Sequence, residues 1–289
     1  MDAILDSPTV HLELDSRPEC LTVVRSMLAG VDDSLRFDPE LSDDLKIAVS
    51  EACNNVVMHA YDGRPGSMVV DLAIDRSGVQ VAVRDHGRGL ADPGGADDST
   101  GVGRAVISAL ADQVDFISAP QGGTEVRMVF TRHGVAVGVP DDAPSLPHEP
   151  DWLENLSGDL VACLSPVELL RGVLGRIARS LAARARFSLD RFSDVYLVTD
   201  AVAAHARGAA SGSAVGFAIV TANRRLELTV GPMRHGSGAR LGLDDGSAGA
   251  DPPERSALAL LADGLSARST GDAELLCVLL VDTRRENSP

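Results

Sequence analysis

One order of elements runs twice along this chain, and that repetition limits what it can fold into. The first pass reads as a strand over Val10–Leu14, a helix from about Pro18 to Leu35, and a second helix over Ser42–His59. Hairpin strands Met68–Ile74 and Val79–Arg84 follow, then a Gly/Asp-rich break, a helix from Gly103 to Asp112, and strands Val114–Ser118 and Thr124–Thr131. The second pass offers a strand (Leu160–Leu164), helices Pro166–Ala185 and Ser193–Ala209, and strands Val215–Thr221 and Leu226–Val230. A Gly/Asp-rich loop, a helix Ser256–Leu265 and a strand Glu274–Val281 end it. Asp200 falls opposite Glu51, Val230 opposite Val83 and Asp263 opposite Asp112, at separations of 149, 147 and 151 residues. Nearly equal separations with one element order point to an internal duplication. Helices interleaved with antiparallel strands make each half an α/β sandwich, a mixed but mainly antiparallel sheet with helices on one face. The expected domains are 1–132 and 151–289. Between them, Pro140, Pro144, Pro147 and Pro150 lie among small and acidic residues and mark 133–150 as a linker.

The helix over Ser42–His59 carries two messages. Leu45, Ala48, Val49, Ala52 and Val56 fall at three- and four-residue steps and form a core-facing stripe. Glu51 and Asn55, four apart, stand one above the other on a different face. A carboxylate stacked on a carboxamide suits general-base work beside a metal-bound phosphate, although a surface helix with solvated Glu and Asn has the same pattern. Ser42 is placed as the N-cap, with Asp43 and Asp44 in the first turn against the helix dipole.

The 289 residues are 44% hydrophobic and carry a net charge of −16, which suits two globular domains and argues against a nucleic-acid partner. Lys46 is the only lysine. Cys20, Cys53, Cys163 and Cys277 form no CxxC pair and read as small buried hydrophobes rather than zinc ligands. MDAILDSP is acidic and weakly apolar for a leader, and no stretch reaches 18 uninterrupted apolar residues, so a cytoplasmic protein without a membrane span is expected. Trp152, the only tryptophan, is expected to pack where the linker meets the second domain.

Three further segments join Glu51 and Asn55. Asp85-His86-Gly87-Arg88-Gly89 directly follows a strand, where a carboxylate can accept a hydrogen bond from an exocyclic amine such as that of adenine. Thr100-Gly101-Val102-Gly103 leads into a helix, and N–H groups at a glycine-rich helix start cradle phosphate. Gly122-Gly123-Thr124 opens the last strand of the first half and brings a hydroxyl toward the same region. Any one of these alone is a plain turn. His59 and His86 read as solvated or hydrogen-bonded histidines rather than a metal pair, and Asp97-Asp98 as part of a solvated loop.

With these blocks in this order, Val10 to about Arg132 resembles the GHKL ATP-binding fold shared by gyrase, histidine kinases and related ATPases. SEACNNVVMHAY, VRDHGRGL, TGVGRAVISALADQVDF and GGTEV look most like the anti-sigma-factor serine kinases of bacterial partner-switching systems, the RsbW type. The resemblance implies that Glu51 is the general base and that Asn55, next to Asn54, holds a Mg²⁺ bridging the phosphates of ATP. It implies that Asp85 takes the adenine amino group with support from Thr124. Gly87, Gly89, Thr100, Gly101, Val102, Gly103 and Arg104 would line the nucleotide, with residues 90–100 as a lid. The implied substrate is a serine or threonine on a small anti-sigma-factor antagonist, and the implied second partner is a sigma factor. A homodimer, or a pseudo-dimer within one chain, follows from the same likeness. The ATP half of a histidine kinase fits less well, because no helical hairpin with a phospho-acceptor histidine precedes the domain.

One position departs from the family. Where its better-known kinases have an arginine two residues before the first glycine of TGVG, this chain has Ser99. An arginine on the terminal phosphate is worth about 10³–10⁵ in rate by analogy with arginine fingers. Arg88 or Arg104 is left to substitute, and a non-catalytic, nucleotide-responsive binding module is the alternative reading. The second half is expected to lack the site. Ala203 and Ala204 replace Asn54 and Asn55, Gly231-Pro232-Met233 replaces Arg84-Asp85-His86, and Ser256-Ala257 opens a helix with no glycine cradle.

Overall fold

The computed structural model describes residues 8–89, 99–118, 122–131, 146, 152–241 and 257–283. The chain divides into two compact units, Met1–His148 and Glu149–Pro289. In the front unit the elements are β1 (Val10–Asp15), α1 (Cys20–Leu35), α2 (Pro39–Asn55), β2 (Ser67–Ile74), β3 (Gly78–Asp85), α3 (Ser99–Leu110), β4 (Gln113–Ser118) and β5 (Thr124–Thr131). Their strands run in the order β4-β5-β3-β2-β1, each antiparallel to its neighbour.

Alternation along the strands sets the two faces of this sheet. Leu12, Val70, Leu72, Val81, Val83 and Met128 are fully buried and share a core with Val24, Met27 and Leu28 of α1 and Leu45, Ala48, Val49 and Ala52 of α2. Each such aliphatic side chain contributes about 1.5–3 kcal/mol by leaving water. The other face is charged. His11 bonds Asp71 (2.7 Å), Arg84 donates to Asp71 and to Glu125 (3.0 Å), and Arg127 donates to Glu125 (2.8 Å). Burial raises the Glu125 carboxyl, but the two guanidinium groups outweigh it and hold it below the ordinary glutamate value.

α2 starts earlier than its sequence signals indicated. Asp38 is the N-cap, accepting from the Glu40 N–H at 2.9 Å, with Pro39 in the first turn. Ser42 is buried instead and donates to Asp32 of α1 (2.5 Å), while Lys46 donates to both Ser42 (2.6 Å) and Asp32 (3.2 Å). A tertiary partner has taken the residue that looked like a cap. The α-helix ends at Asn55, and a single π-helical turn, Val56–Ala60, continues it. α3 begins at Ser99, four residues before the expected Gly103. The expected lid falls largely outside the described residues, as does most of the linker. Within the linker, buried Leu146 donates its N–H to the Pro8 carbonyl at 2.8 Å.

The rear unit has β6 (Leu160–Leu164), α4 (Leu170–Arg184), α5 (Leu189–Ala209), β7 (Val215–Ala222), β8 (Arg225–Arg234), α6 (Ala257–Leu261), β9 (Gly264–Thr270) and β10 (Ala273–Val281). Its strand order is β6-β7-β8-β10-β9, again antiparallel. The helix expected over Ser256–Leu265 stops at Leu261, and Gly264–Thr270 forms a strand on β10 that the sequence reading missed. α5 begins at Leu189 rather than Ser193. Trp152 lies against Gly216, in a cluster with Leu156, Ala218 and Leu275.

Buried positions on the two long helices correct one register. Leu45, Ala48, Val49, Ala52 and Val56 match Val195, Val198, Thr199, Val202 and Ala206. That match sets Asp200 opposite Ser50, and Ala201 and His205 opposite Glu51 and Asn55. The sequence offset was one residue off because helix burial, not charge, fixes the register. Asp200 is engaged by Arg171 at 2.5 Å.

Candidate nucleotide site of the front unit

Two separate parts of the front unit bring together the residues singled out from sequence. At the first, α2 and α3 approach so closely that a side chain at Gly103 would crowd two groups of α2. A Cβ on Gly103 would stand 3.1 Å from Asn55 Oδ1 and 3.3 Å from Glu51 Oε2. Glu51, Asn55 and the backbone of the α3 N-terminal turn therefore converge. An acid, an amide oxygen and a helix start with unpaired N–H groups can together hold a hydroxyl, a cation and a phosphate. Asn54 is half-buried beside them on α2, and Val102 is 68% exposed on α3. Thr100 and Gly101 contribute backbone to the first turn of α3, and their side chains fall outside the described residues. The Arg104 guanidinium lies 4.3 Å over the Phe116 ring of β4, a cation–π contact that holds it. Arg88 is paired with Asp62 at 2.7 Å.

The second part is the end of β3. Asp85 is only 6% exposed and accepts from the Gly87 N–H at 2.8 Å and from both the N–H and the hydroxyl of Thr124. Burial pushes its carboxyl above the ordinary aspartate value in spite of these donors. Thr124 can stand there because Gly123, at φ +92°, lets β5 begin against β3. A Cβ at Gly123 would fall 2.1 Å from the Asp85 carbonyl oxygen. Gly89 lies against the Gly123 carbonyl, so the two glycine turns touch.

Sequence reasoning passed over Tyr61. Its hydroxyl donates to the Ser67 carbonyl (2.5 Å) and accepts from the His86 N–H (2.8 Å), tying β2 to the residue after Asp85. The available signal was a tyrosine, one of two in the chain, six residues after Asn55 and opening a turn. The four cysteines are free, and three of them are buried. Among the described residues no group of three or more His, Cys, Asp or Glu could hold a metal, and no helix is long and apolar enough to cross a membrane.

The profile of the histidine kinase-like ATPase domain matches residues 14–130, which include all of these positions. The serine-protein kinase RsbW of Bacillus pumilus is 36% identical over 81 residues, covering 27% of this chain and 50% of that protein. RsbW of Bacillus thuringiensis is 30% identical over 78 residues, covering 27% of this chain and 49% of that protein. The chain thus spans about half the length of the curated relatives it matches. A solved structure of the RsbU and RsbW domains of a Mycobacterium tuberculosis protein is 25% identical over 45% of this chain and 35% of its own, with a TM-score of 0.34. Residues 14–130 thus match the histidine kinase-like ATPase domain and are similar in sequence to the RsbW serine-protein kinases.

Proposed function

We propose that the front unit binds Mg-ATP and transfers its terminal phosphoryl group to a serine or threonine of an anti-sigma-factor antagonist. In this reading the chain also sequesters a sigma factor. The observation that carries it is the convergence of Glu51, Asn55 and Gly103 at one place and of Asp85 and Thr124 at another. ATP would lie with its adenine amino group on Asp85 and its phosphates at the start of α3. Asn55 offers one neutral oxygen, a donor set that suits Mg²⁺, which keeps few protein ligands and takes the rest from phosphate and water. Once bound, the ion would neutralise charge on the phosphates. Glu51 would accept the proton of the attacking hydroxyl as its oxygen bonds to the γ-phosphorus and ADP departs.

The rear unit is, in the same reading, a degenerate copy without a nucleotide site. Support comes from the matched element and strand orders and from matched details. Arg36 and Arg186 both take a left-handed conformation after the first helix, at φ 55° and 60°. Asp112 accepts from the Thr131 N–H at 2.6 Å, and Asp263 accepts from the Val281 N–H at 2.7 Å.

Transfer of labelled phosphate from ATP to candidate antagonists tests the kinase reading. Glu51→Gln is expected to abolish transfer and retain nucleotide. Transfer undiminished in that variant would remove Glu51 from the role. A second reading, a nucleotide-responsive binding module, draws on Ser99 and on the engagement of Arg88 and Arg104 by Asp62 and Phe116. Tight nucleotide binding without transfer to any antagonist would favour it.

A further inference from the structure

The end of the long front helix holds the Asp85 loop from two sides. The Ala60 carbonyl, last in the π-helical turn, accepts the Arg88 N–H at 3.0 Å, and a Cβ on Gly87 would fall 2.1 Å from that oxygen. The next residue, Tyr61, accepts the His86 N–H at 2.8 Å while donating to the Ser67 carbonyl at 2.5 Å. Its ring fills the space over Gly66, where a methyl would lie 2.3 Å from the ring. His86 and Arg88, on either side of Gly87, are thus pinned to Tyr61 and Ala60. Burial raises the Tyr61 phenol, and the nearby Asp85 charge raises it further.

We infer that Tyr61 is a positioning residue that sets where the Asp85 carboxylate stands, and so sets the selectivity of the front site for a 6-amino purine over a 6-oxo purine. The inference rests on the adenine reading of Asp85. A carboxylate accepts from the 6-amino group of ATP but meets the carbonyl oxygen of ITP with a second acceptor. A site built around such a donor–acceptor pair discriminates strongly, provided the acceptor stays in place. Without the phenolic oxygen, the His86 N–H loses its partner and the turn carrying Asp85 is free to shift.

The test is calorimetric titration of the full chain with ATP and with ITP, both in Mg²⁺. Wild type is expected to prefer ATP by about a hundredfold. Tyr61→Phe keeps the ring, and so the fold, and is expected to cut the ATP/ITP ratio by about tenfold, mostly through weaker ATP binding. Gly66→Ala, which displaces the ring instead of the hydroxyl, is expected to do the same. In an Asp85→Asn background, Tyr61→Phe should change nothing further. A general structural role would weaken ATP and ITP equally, and an unchanged ratio in Tyr61→Phe overturns the inference. Failure of the wild type to prefer ATP would instead overturn the adenine reading beneath it.

Discussion

The two units differ most where β3 and β8 end. In the front unit β3 stops at Asp85, and the loop beyond it is held by Ala60 and Tyr61. In the rear unit β8 runs on to Arg234 and bridges Met233 to Ala210. By strand register Pro232 stands at the place of Asp85, while Glu274 pairs with the next residue, Met233, beside a bulge in β10. Ser211, 150 residues after Tyr61, donates both its backbone N–H (3.2 Å) and its hydroxyl (3.3 Å) to the Pro232 carbonyl.

The carboxylate has also changed strands. Glu274 accepts from Gly236 N–H (2.6 Å), Gly238 N–H (2.9 Å) and the Ser237 hydroxyl (3.0 Å). Burial raises its carboxyl, but these donors and His235 outweigh burial and hold it below the ordinary glutamate value. Asp85 also has three protein donors, yet there burial wins. The rear carboxylate is compensated by its own loop, whereas the front one would gain from a further donor. An adenine amine is such a donor.

The largest effect expected from breaking this contrast is at Asp85. Asp85→Asn in the full chain should lower ATP affinity about a hundredfold or more, because the amide turns a donor toward the ligand's donor. Titration of wild type should show one site per chain. A tight site surviving in the variant would place nucleotide in the rear unit and end the asymmetry.

Glu274→Gln should act on stability instead. A neutral amide leaves the Gly236, Gly238 and Ser237 donors less well matched and should cost the fold about 1–3 kcal/mol, with ATP affinity unchanged. Denaturant unfolding and titration on one preparation would show both. Unaltered stability would mean that Glu274 does not hold the loop.

Acidification sharpens the same contrast. The Asp85 value is raised, so its ionised form, the one an amine donor favours, is lost at a higher pH than for an ordinary aspartate near 3.9. ATP affinity should therefore be full above the raised Asp85 value and fall as pH drops through it. The Glu274 value is lowered, so its contribution to folding is present above the unfolded glutamate value of about 4.3 and is lost only as pH falls through the lower folded value. Binding should fail before the rear unit loosens. The reverse order in a pH series of ATP titration and melting would sink this assignment.

How much of this was legible in the sequence depended on whether the cause was local. Strand alternation in Met68–Ile74 and Val79–Arg84, and the stripe from Leu45 to Val56, are local patterns, and the structure follows them. Glu51 and Asn55 were legible because helical spacing alone stacks them. Ser42 was misread because its partners, Asp32 and Lys46, come together only when α1 packs on α2. The strand at Gly264–Thr270 was missed because its exposed edge leaves little apolar alternation; only pairing with β10 makes it a strand. Tyr61 and Glu274 act through backbone N–H groups, which leave no pattern in side chains.

The smallest effect tests whether the two units match outside the site. Arg36 directly follows α1 and Arg186 lies two residues beyond the end of α4; both are left-handed, and both side chains are exposed. A left-handed non-glycine residue costs about 1–2 kcal/mol, and glycine gives back part of that gain through the entropy of the unfolded chain. Arg36→Gly and Arg186→Gly should each stabilise the chain by about 0.5–1 kcal/mol, and together by the sum, since the positions share no partner. Denaturant midpoints of the two single variants and the double variant would measure this. Equal gains would extend the correspondence to turns unconnected with nucleotide. A gain at one and a loss at the other would confine the likeness to the strands and helices.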